Sequence, residues 1–180
     1  MKLKQVLINF IAVFSACSLS LAVYHYFFKQ RTAYIEVKKV FNSFQMKKEL
    51  ENKYKETAQV REKIIDSLAF NLKLMSKTLM EQKNSREGVN AQLAETFEYK
   101  KEEFLKLKNQ YTEDNTALSQ KFDGQILEQM NQYVVEFGKK HNYDLILGAD
   151  GNGNLMHAKD SYNISDEVIT FINNKYRGIE

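Results

Sequence analysis

The residues of this chain that could bind a nucleotide or carry out catalysis are few. The sequence contains no G-x-x-x-x-G-K-S/T motif, the loop that cradles the phosphates of ATP. Gly151-x-Gly153 lacks the third glycine of a dinucleotide-binding loop, and its position between two short apolar runs favours a hairpin turn. Acidic pairs such as Glu102 and Glu103 lie beside lysines, as on a solvated helix face. We therefore predict that the protein is not an enzyme and uses no cofactor.

Residues that could bind a metal are also poorly placed. A pattern that resembles a calcium loop begins at Asp150, but it has Leu155 where an EF-hand has glycine and Ser161 where it has glutamate. The histidines are too scattered along the chain to form a zinc site. They are His25, His141 and His157. The sequence therefore predicts no metal site.

The composition excludes further classes of protein. The 180 residues include no proline and seven glycines, none of them before Gly88 and four of them between Gly138 and Gly153. Because proline and glycine interrupt helices, this distribution predicts long helices first and turns later. The 26 basic and 23 acidic residues give a net charge of +3. So small an excess does not indicate a nucleic-acid partner.

Residues 1–31 have the features of an export or anchoring segment. Lys2 and Lys4 precede an apolar run from Val6 to Phe28 that carries no formal charge. A helix of this length can span the hydrocarbon core of a bilayer. One interpretation is therefore an uncleaved signal anchor that attaches the protein to the inner membrane through residues 6–28.

Two other interpretations of this segment stay open. Ser20-Leu21-Ala22 matches the small-x-small site of a cleaved signal peptide, and Phe14-Ser15-Ala16-Cys17 resembles the lipobox of a lipoprotein. All three interpretations place residues 32–180 outside the cytoplasm. Cys17 is the single cysteine, so residues 32–180 have no disulfide and no thiolate chemistry.

The apolar pattern predicts two long helices. From Lys38 to Ser85, apolar residues recur at spacings of mostly three and four, as on one face of a helix. They are Phe44, Leu50, Tyr54, Ala58, Ile64, Leu68, Leu72, Met75 and Leu79. A second such stripe runs from Leu93 to Phe137. Because one short turn near Gly88 joins the two helices, we predict that they pack as an antiparallel coiled-coil hairpin.

Short strands are predicted on both sides of the hairpin. Thr32–Val37 alternates β-forming residues, while Tyr143–Leu147 and Leu155–Ala158 flank a glycine-rich turn. Ser165 is a suitable N-cap for a closing helix that ends at Tyr176. Three short strands and one helix form too small a core to be stable alone. We therefore expect this part of the chain to oligomerise.

Sequence motifs at the two ends of the hairpin carry a family resemblance. The first is Ala33-Tyr34-Ile35-Glu36-Val37 followed by Val40-Phe41. The second is Tyr143-Asp144-Leu145-Ile146-Leu147, followed by Asn163-Ile164-Ser165 and Val168-Ile169. In this order and spacing they resemble the ends of the Skp/OmpH family of periplasmic chaperones, with Asn163-Ile164-Ser165 in place of the family's acidic-Ile-Thr.

The resemblance implies an assembly and a function. Members of that family are jellyfish-like homotrimers, in which a β-body carries three helical-hairpin arms around a cavity. They hold unfolded outer-membrane proteins in the periplasm of Gram-negative bacteria without ATP. We therefore expect an ATP-independent holdase chaperone that prevents its clients from aggregating. The alternative is a membrane-anchored structural coiled-coil protein of the cell envelope whose arms dock a specific partner.

The elements and the resemblance together predict the fold class. We expect an α+β, mainly helical protein with a long antiparallel coiled-coil hairpin arm on a small β-body that trimerises. The predicted segments are 1–31 (signal peptide or signal anchor), 32–42 with 139–180 (β-rich trimerisation body with a C-terminal helix) and 43–138 (helical-hairpin arm).

Two sets of apolar residues are predicted to bind partners. A holdase needs adaptable apolar side chains set among charges, and methionine is well suited to this. The predicted client-binding residues of the arm are Leu72, Leu74, Met75, Leu79, Met80, Leu93 and Phe97. Those on the main apolar stripe have the alternative role of joining the two helices. The predicted trimer contacts of the body are Ile35, Val37, Val40, Phe41, Leu145, Ile146 and Leu147.

Overall fold

The computed structural model describes residues 13–20, 24, 30–85 and 88–179. Residues 13–20 are helical. The described elements that follow are β1 (Thr32–Glu36), α1 (Val37–Ser43), α2 (Gln45–Asn84), α3 (Ala91–Lys140), β2 (Leu145–Ala149), a 3-10 turn (Asp160–Tyr162) and α4 (Ser165–Tyr176). The predicted α+β, mainly helical class is confirmed.

The elements form two compact units. Of the described residues, those up to Val40 form the first unit together with Val134–Val168. Phe41–Tyr133 and the residues from Ile169 onward form the second. The first unit contains the sheet, and the second contains α2 together with most of α3.

The sheet of the first unit consists of β1 and β2 in parallel. Thr32 is aligned with Leu145 and Glu36 with Ala149. Parallel neighbours need a long crossover connection, and here the two helices of the hairpin lie between the strands in the chain. Along β1, Ala33 and Ile35 are buried, as the two-residue period of a strand requires.

The prediction of a third strand at Leu155–Ala158 is wrong. These residues have no regular structure, and Met156 is exposed. The free edge of β1 is instead occupied by the segment before α4. The carbonyl oxygen of Tyr34 accepts a hydrogen bond from the Ile164 amide at 3.0 Å, and the Glu36 amide donates to Ser165 Oγ at 2.8 Å. A third strand therefore has no free edge on β1.

A glycine on β2 allows close packing in the first unit. A Cβ atom at Gly148 would lie 2.9 Å from Cγ2 of Val37, closer than side-chain contacts allow. The carbonyl oxygen of Gly148 also accepts a hydrogen bond from the Asn154 side chain, which closes the loop after β2. Gly148 therefore belongs to the packing of the sheet rather than to a flexible turn.

The first long helix is interrupted at Phe44, where the sequence predicted a continuous helix from Lys38. Phe44 has extended backbone angles (φ −73°, ψ 127°) and separates α1 from α2. The Gln45 amide donates to Asn173 Oδ1 at 2.7 Å, and Asn173 Nδ2 donates to the Ser43 carbonyl at 3.1 Å. The Asn173 side chain thus satisfies backbone groups on both sides of the break, which local helix propensity could not show.

Helices α2 and α3 pack as the predicted antiparallel hairpin. Half-buried positions of α2 recur at alternating spacings of four and three, the pattern of a coiled-coil seam. They are Tyr54, Ala58, Arg61, Ile65, Leu68, Leu72, Met75, Leu79 and Gln82. The prediction that Ile64 lies on this stripe is wrong, since Ile64 is exposed and Ile65 occupies the seam. The charged residue at the preceding seam position, Arg61, concealed the pattern.

Different residues end the helices of the hairpin. Gly88 lies between α2 and α3 with φ +80°, a conformation that favours glycine. Asn90 Oδ1 accepts a hydrogen bond from the Leu93 amide at 3.1 Å and caps α3. At its other end, α3 passes through Gly138 to Lys140, and Asn142 has the left-handed backbone (φ +54°) that follows many helices.

Candidate functional site

The predicted client-binding residues fall into two groups by their position on the hairpin. The five half-buried members lie along the seam: Leu72, Met75 and Leu79 on α2, and Leu93 and Phe97 on α3. Leu74 and Met80 lie off the seam, with exposed fractions of 49% and 65%. The hairpin therefore uses the first group for its own packing and leaves the second available to another molecule.

Two apolar grooves lie on either side of the seam where Leu72 and Phe104 meet. The first groove has a volume of about 360 Å³. Its lining includes Leu68, Asn71, Leu74 and Met75 of α2, with Lys100 and Glu103 of α3. The second has a volume of about 410 Å³ and is lined by Lys73, Phe97, Lys101 and Leu105 among others. In both, an apolar floor is bordered by charged side chains.

The sequence prediction missed Leu68 and Phe104 as groove residues. Leu68 is on the first predicted apolar stripe and Phe104 falls within the second, but periodicity does not show where a seam leaves space. The groove opens beside polar residues at the seam edges, such as Asn71 and Lys100, which are exposed. These two polar interruptions are the available signal, because a polar side chain at the edge of a seam leaves its apolar neighbours partly uncovered.

A polar layer crosses the middle of the hairpin and was also missed. Arg61 of α2 donates from Nη1 to Asn115 Oδ1 at 2.5 Å and lies 3.6 Å from Asp114 Oδ2. Its guanidinium carbon is 5.4 Å from the ring centroid of Tyr111. All three partners are on α3, so this half-buried cation joins the two helices at one level. A polar seam residue of this kind favours one register over its alternatives.

The end of α2 nearest Phe44 is firmly held. The Phe44 side chain is fully buried, and its ring packs edge-on against Tyr133 and Tyr176, with centroid distances of 6.2 and 5.6 Å. The Tyr176 hydroxyl donates to Glu49 Oε2 at 2.7 Å. This hydrogen bond raises the pKa of Tyr176 to about 12 and lowers the pKa of Glu49. We call Ser43–Glu49 with Asn173 and Tyr176 the anchored end.

The predicted trimer contacts also differ in exposure. Ile35 and Val40 are buried within the protomer, and Val37, Phe41 and Ile146 are half-buried. Leu145 and Leu147, in contrast, are large apolar residues of β2 that remain exposed. These two leucines point to the same side of the strand because side chains alternate along it. They form the uncovered apolar surface of the sheet.

The described residues were also compared with the predictions of no metal site and of a membrane-spanning segment. Among them, no group of three or more His, Cys, Asp or Glu side chains is arranged to hold a metal ion. None of the helices in the described part of the chain has both the length and the apolar character needed to span a membrane. Cys17 is exposed within the helical residues 13–20. Most of the predicted segment 6–28 lies outside the described residues.

These features define an α+β protein whose long antiparallel helical hairpin presents apolar grooves bordered by charges. A family model described as outer membrane protein (OmpH-like) matches residues 31–172. Because this match covers most of the chain, the protein belongs to the OmpH-like family, and the resemblance of the two end motifs is confirmed. A sequence search of curated proteins found no match.

A solved structure from Caulobacter crescentus has the same fold. That protein is described as a "putative outer membrane chaperone (OmpH-like)". The TM-score is 0.69 at 15% sequence identity, and the match covers 81% of this chain and 85% of that chain. Similarity at this identity supports the fold alone.

Proposed function

We propose that the protein is an ATP-independent holdase that binds unfolded outer-membrane proteins in the periplasm and prevents their aggregation. The observation that carries this proposal is the pair of open apolar grooves around Leu72 and Phe104. Neither groove is enclosed, so each can accept apolar side chains of many shapes. The sulfur and rotatable bonds of Met75 let the first groove adapt to different clients.

Charges around the grooves limit the strength of each contact. Lys100 and Glu103 border the first groove, and Lys73 and Lys101 border the second. Within a groove, a client segment therefore gains apolar burial only over the groove floor. Weak contacts at several sites hold a client by avidity while leaving each segment free to dissociate. Release then requires no nucleotide hydrolysis.

The proposed assembly is a homotrimer that joins through the sheet. A two-stranded sheet is too small to be stable alone, and Leu145 and Leu147 leave one of its surfaces uncovered. Other copies of the chain would cover these leucines. Several hairpins in one assembly would also provide the multiple sites that avidity requires.

The trimer proposal is tested with Leu145→Asp in the full-length chain. A carboxylate at this position would have to be dehydrated in the interface, so we expect a monomer by light scattering. Met156→Asp is the matched control, since Met156 is exposed in the loop that follows the sheet. A Leu145→Asp protein that remains trimeric would refute this interface.

The holdase proposal is tested by diluting an unfolded outer-membrane β-barrel protein from urea into buffer without ATP. The full-length chain, at one trimer per client, is expected to suppress the light scattering of the aggregating client. An equal mass of an unrelated helical protein is the control. An unchanged aggregation rate would contradict the holdase and favour the structural coiled-coil alternative.

A further inference from the structure

One flank of α2 carries no charge over six helical turns. Its residues recur at alternating spacings of three and four and lie beside the seam. They are Thr57, Val60, Ile64, Ser67, Asn71, Leu74 and Thr78, and we call this set the uncharged flank. Val60, Ile64 and Leu74 have exposed fractions of 59%, 40% and 49%. The flank is therefore a neutral surface with three apolar positions, and six of its seven residues are exposed.

The other flank of the same helix is different. It carries Glu62, Asp66 and Lys73 within the same turns. Removing such charges from water costs free energy unless a partner neutralises them. The uncharged flank has no such cost, so it is the surface of α2 that a neutral apolar ligand can dehydrate most easily.

The uncharged flank leads directly into the first groove. Asn71 and Leu74 belong to both, and the groove floor adds Leu68, Leu72 and Met75. Ser67 and Asn71 supply side-chain donors and acceptors between the apolar positions. An unfolded chain presents backbone N–H and C=O groups that need such partners when they leave water. The surface thus combines apolar contacts with hydrogen-bonding groups.

We propose that the uncharged flank and the first groove bind one extended, uncharged segment of an unfolded β-barrel strand. This inference rests on the proposed holdase function. From Val60 to Leu74 the helix rises about 21 Å, which an extended chain covers in about six residues. Barrel strands provide segments of about ten residues in which every second side chain is apolar. One such side chain enters the groove beside Leu74, while the apolar neighbours on the same face of the strand contact Ile64 and Val60.

Met80 provides the contrast that tests this assignment. It is more exposed than Leu74 but follows Lys73 and Ser76 on the other flank. Apolar exposure alone would therefore favour Met80, whereas the proposed surface favours Leu74. Leu74 and Met80 also lie close together on α2. A change in oligomeric state would therefore alter the surroundings of both residues and would not by itself produce a difference between them.

The test places a photo-crosslinking amino acid at position 64, 74 or 80 of the full-length chain. Each protein is mixed with an unfolded outer-membrane β-barrel protein diluted from urea, and crosslinked client is quantified. We expect several-fold more client crosslinked from positions 64 and 74 than from position 80. Equal crosslinking from all three positions, or crosslinking of position 74 mainly to another copy of the chain, would overturn the inference.

Charge variants give an independent measurement. Leu74→Lys is expected to weaken client binding about tenfold, because the lysine must be dehydrated in the groove, while Met80→Lys leaves binding nearly unchanged. Helix content by circular dichroism is measured for both variants. Equal affinities of the two folded variants would overturn the inference. Failure of the holdase proposal is a different result: the unmodified chain itself would not suppress aggregation of the client.

Discussion

The anchored end and the distal part of the hairpin are stabilised in different ways. At the anchored end, Phe44 is fully buried and Asn173 bonds to the backbone on both sides of it. Along the described length of α2, in contrast, no residue is buried. The distal seam residues, from Leu68 to Leu79, are half-buried at most. One end therefore holds a defined packing, and the other keeps apolar surface near the solvent.

This difference is what the proposed holdase function requires of the hairpin. Segments with few buried apolar contacts open at a lower free energy than a packed core. In the proposed holdase, the distal hairpin can therefore adjust to a client without loss of the anchored end. Stability should therefore be concentrated at the anchored end.

The largest effect is expected at Phe44. Phe44→Ala removes a fully buried ring that contacts Tyr133 and Tyr176, and should lower the free energy of unfolding by about 3–5 kcal/mol. Phe70→Ala, on the exposed surface of α2, should change it by less than about 0.5 kcal/mol. Urea unfolding followed by circular dichroism measures both. Similar losses in the two variants would remove the distinction between the regions.

The next effect concerns the helix break. Asn173→Ala leaves the Gln45 amide and the Ser43 carbonyl without their side-chain partner, so we expect a loss of about 1–2 kcal/mol. Asn173→Asp keeps the acceptor for Gln45 and should recover part of that loss. If Asn173→Ala unfolds at the same urea concentration as the unmodified chain, the side chain does not stabilise the break.

The break at Phe44 also illustrates what the sequence could predict. The hairpin, its turn near Gly88 and strand β1 depend on local periodicity and turn residues, and they were predicted correctly. The break depends on Asn173, which is far away in the sequence, and the missing third strand depends on Ile164 and Ser165 occupying the edge of β1. Such long-range hydrogen bonds override local propensity and leave no periodic signal.

The candidate site was predictable to a similar extent. Periodicity identified Leu74 and Met80 as residues off the main stripe, and both are exposed. Apolar periodicity could not predict the first groove, because the space between Leu68 and Phe104 depends on how α2 and α3 pack. It also misplaced the stripe by one residue at Ile64, since the seam there contains the charged Arg61.

The polar layer at Arg61 tests the boundary between the two regions. Asn115→Ala removes the acceptor of the 2.5 Å hydrogen bond from Arg61 and should cost about 1 kcal/mol. Asp114→Asn should cost less, because the Asp114 side chain is 45% exposed and lies 3.6 Å from the guanidinium. In an Arg61→Met background the loss from Asn115→Ala should shrink, which a double-mutant cycle measures. Fully additive losses would show that the layer does not couple the helices.

The smallest effect is expected from the hydrogen bond between Tyr176 and Glu49, and it depends on pH. Tyr176→Phe should lower the free energy of unfolding by about 0.5 kcal/mol near pH 7, since the pair lies at the surface. Glu49 has a lowered pKa, so the contribution is present above its ordinary value of 4.5 and is lost as the pH falls through the lowered pKa. Tyr176 has a pKa raised from 10.0 to about 12, so the contribution is complete below pH 10 and is lost as the pH rises towards 12.

Urea unfolding of the unmodified chain and Tyr176→Phe at several pH values measures this dependence. The difference between the two proteins isolates the pair, because every other titrating group is present in both. We expect it to be constant between about pH 5 and 10 and to shrink on either side. A difference that stays near zero at every pH would mean that the hydroxyl contributes nothing and that Tyr176 stabilises the anchored end only through its ring against Phe44. The anchored end would then be stabilised by the packing around Phe44 and by the hydrogen bonds of Asn173. The hydrogen bond from Tyr176 to Glu49 would then not be part of the difference between the anchored end and the distal hairpin.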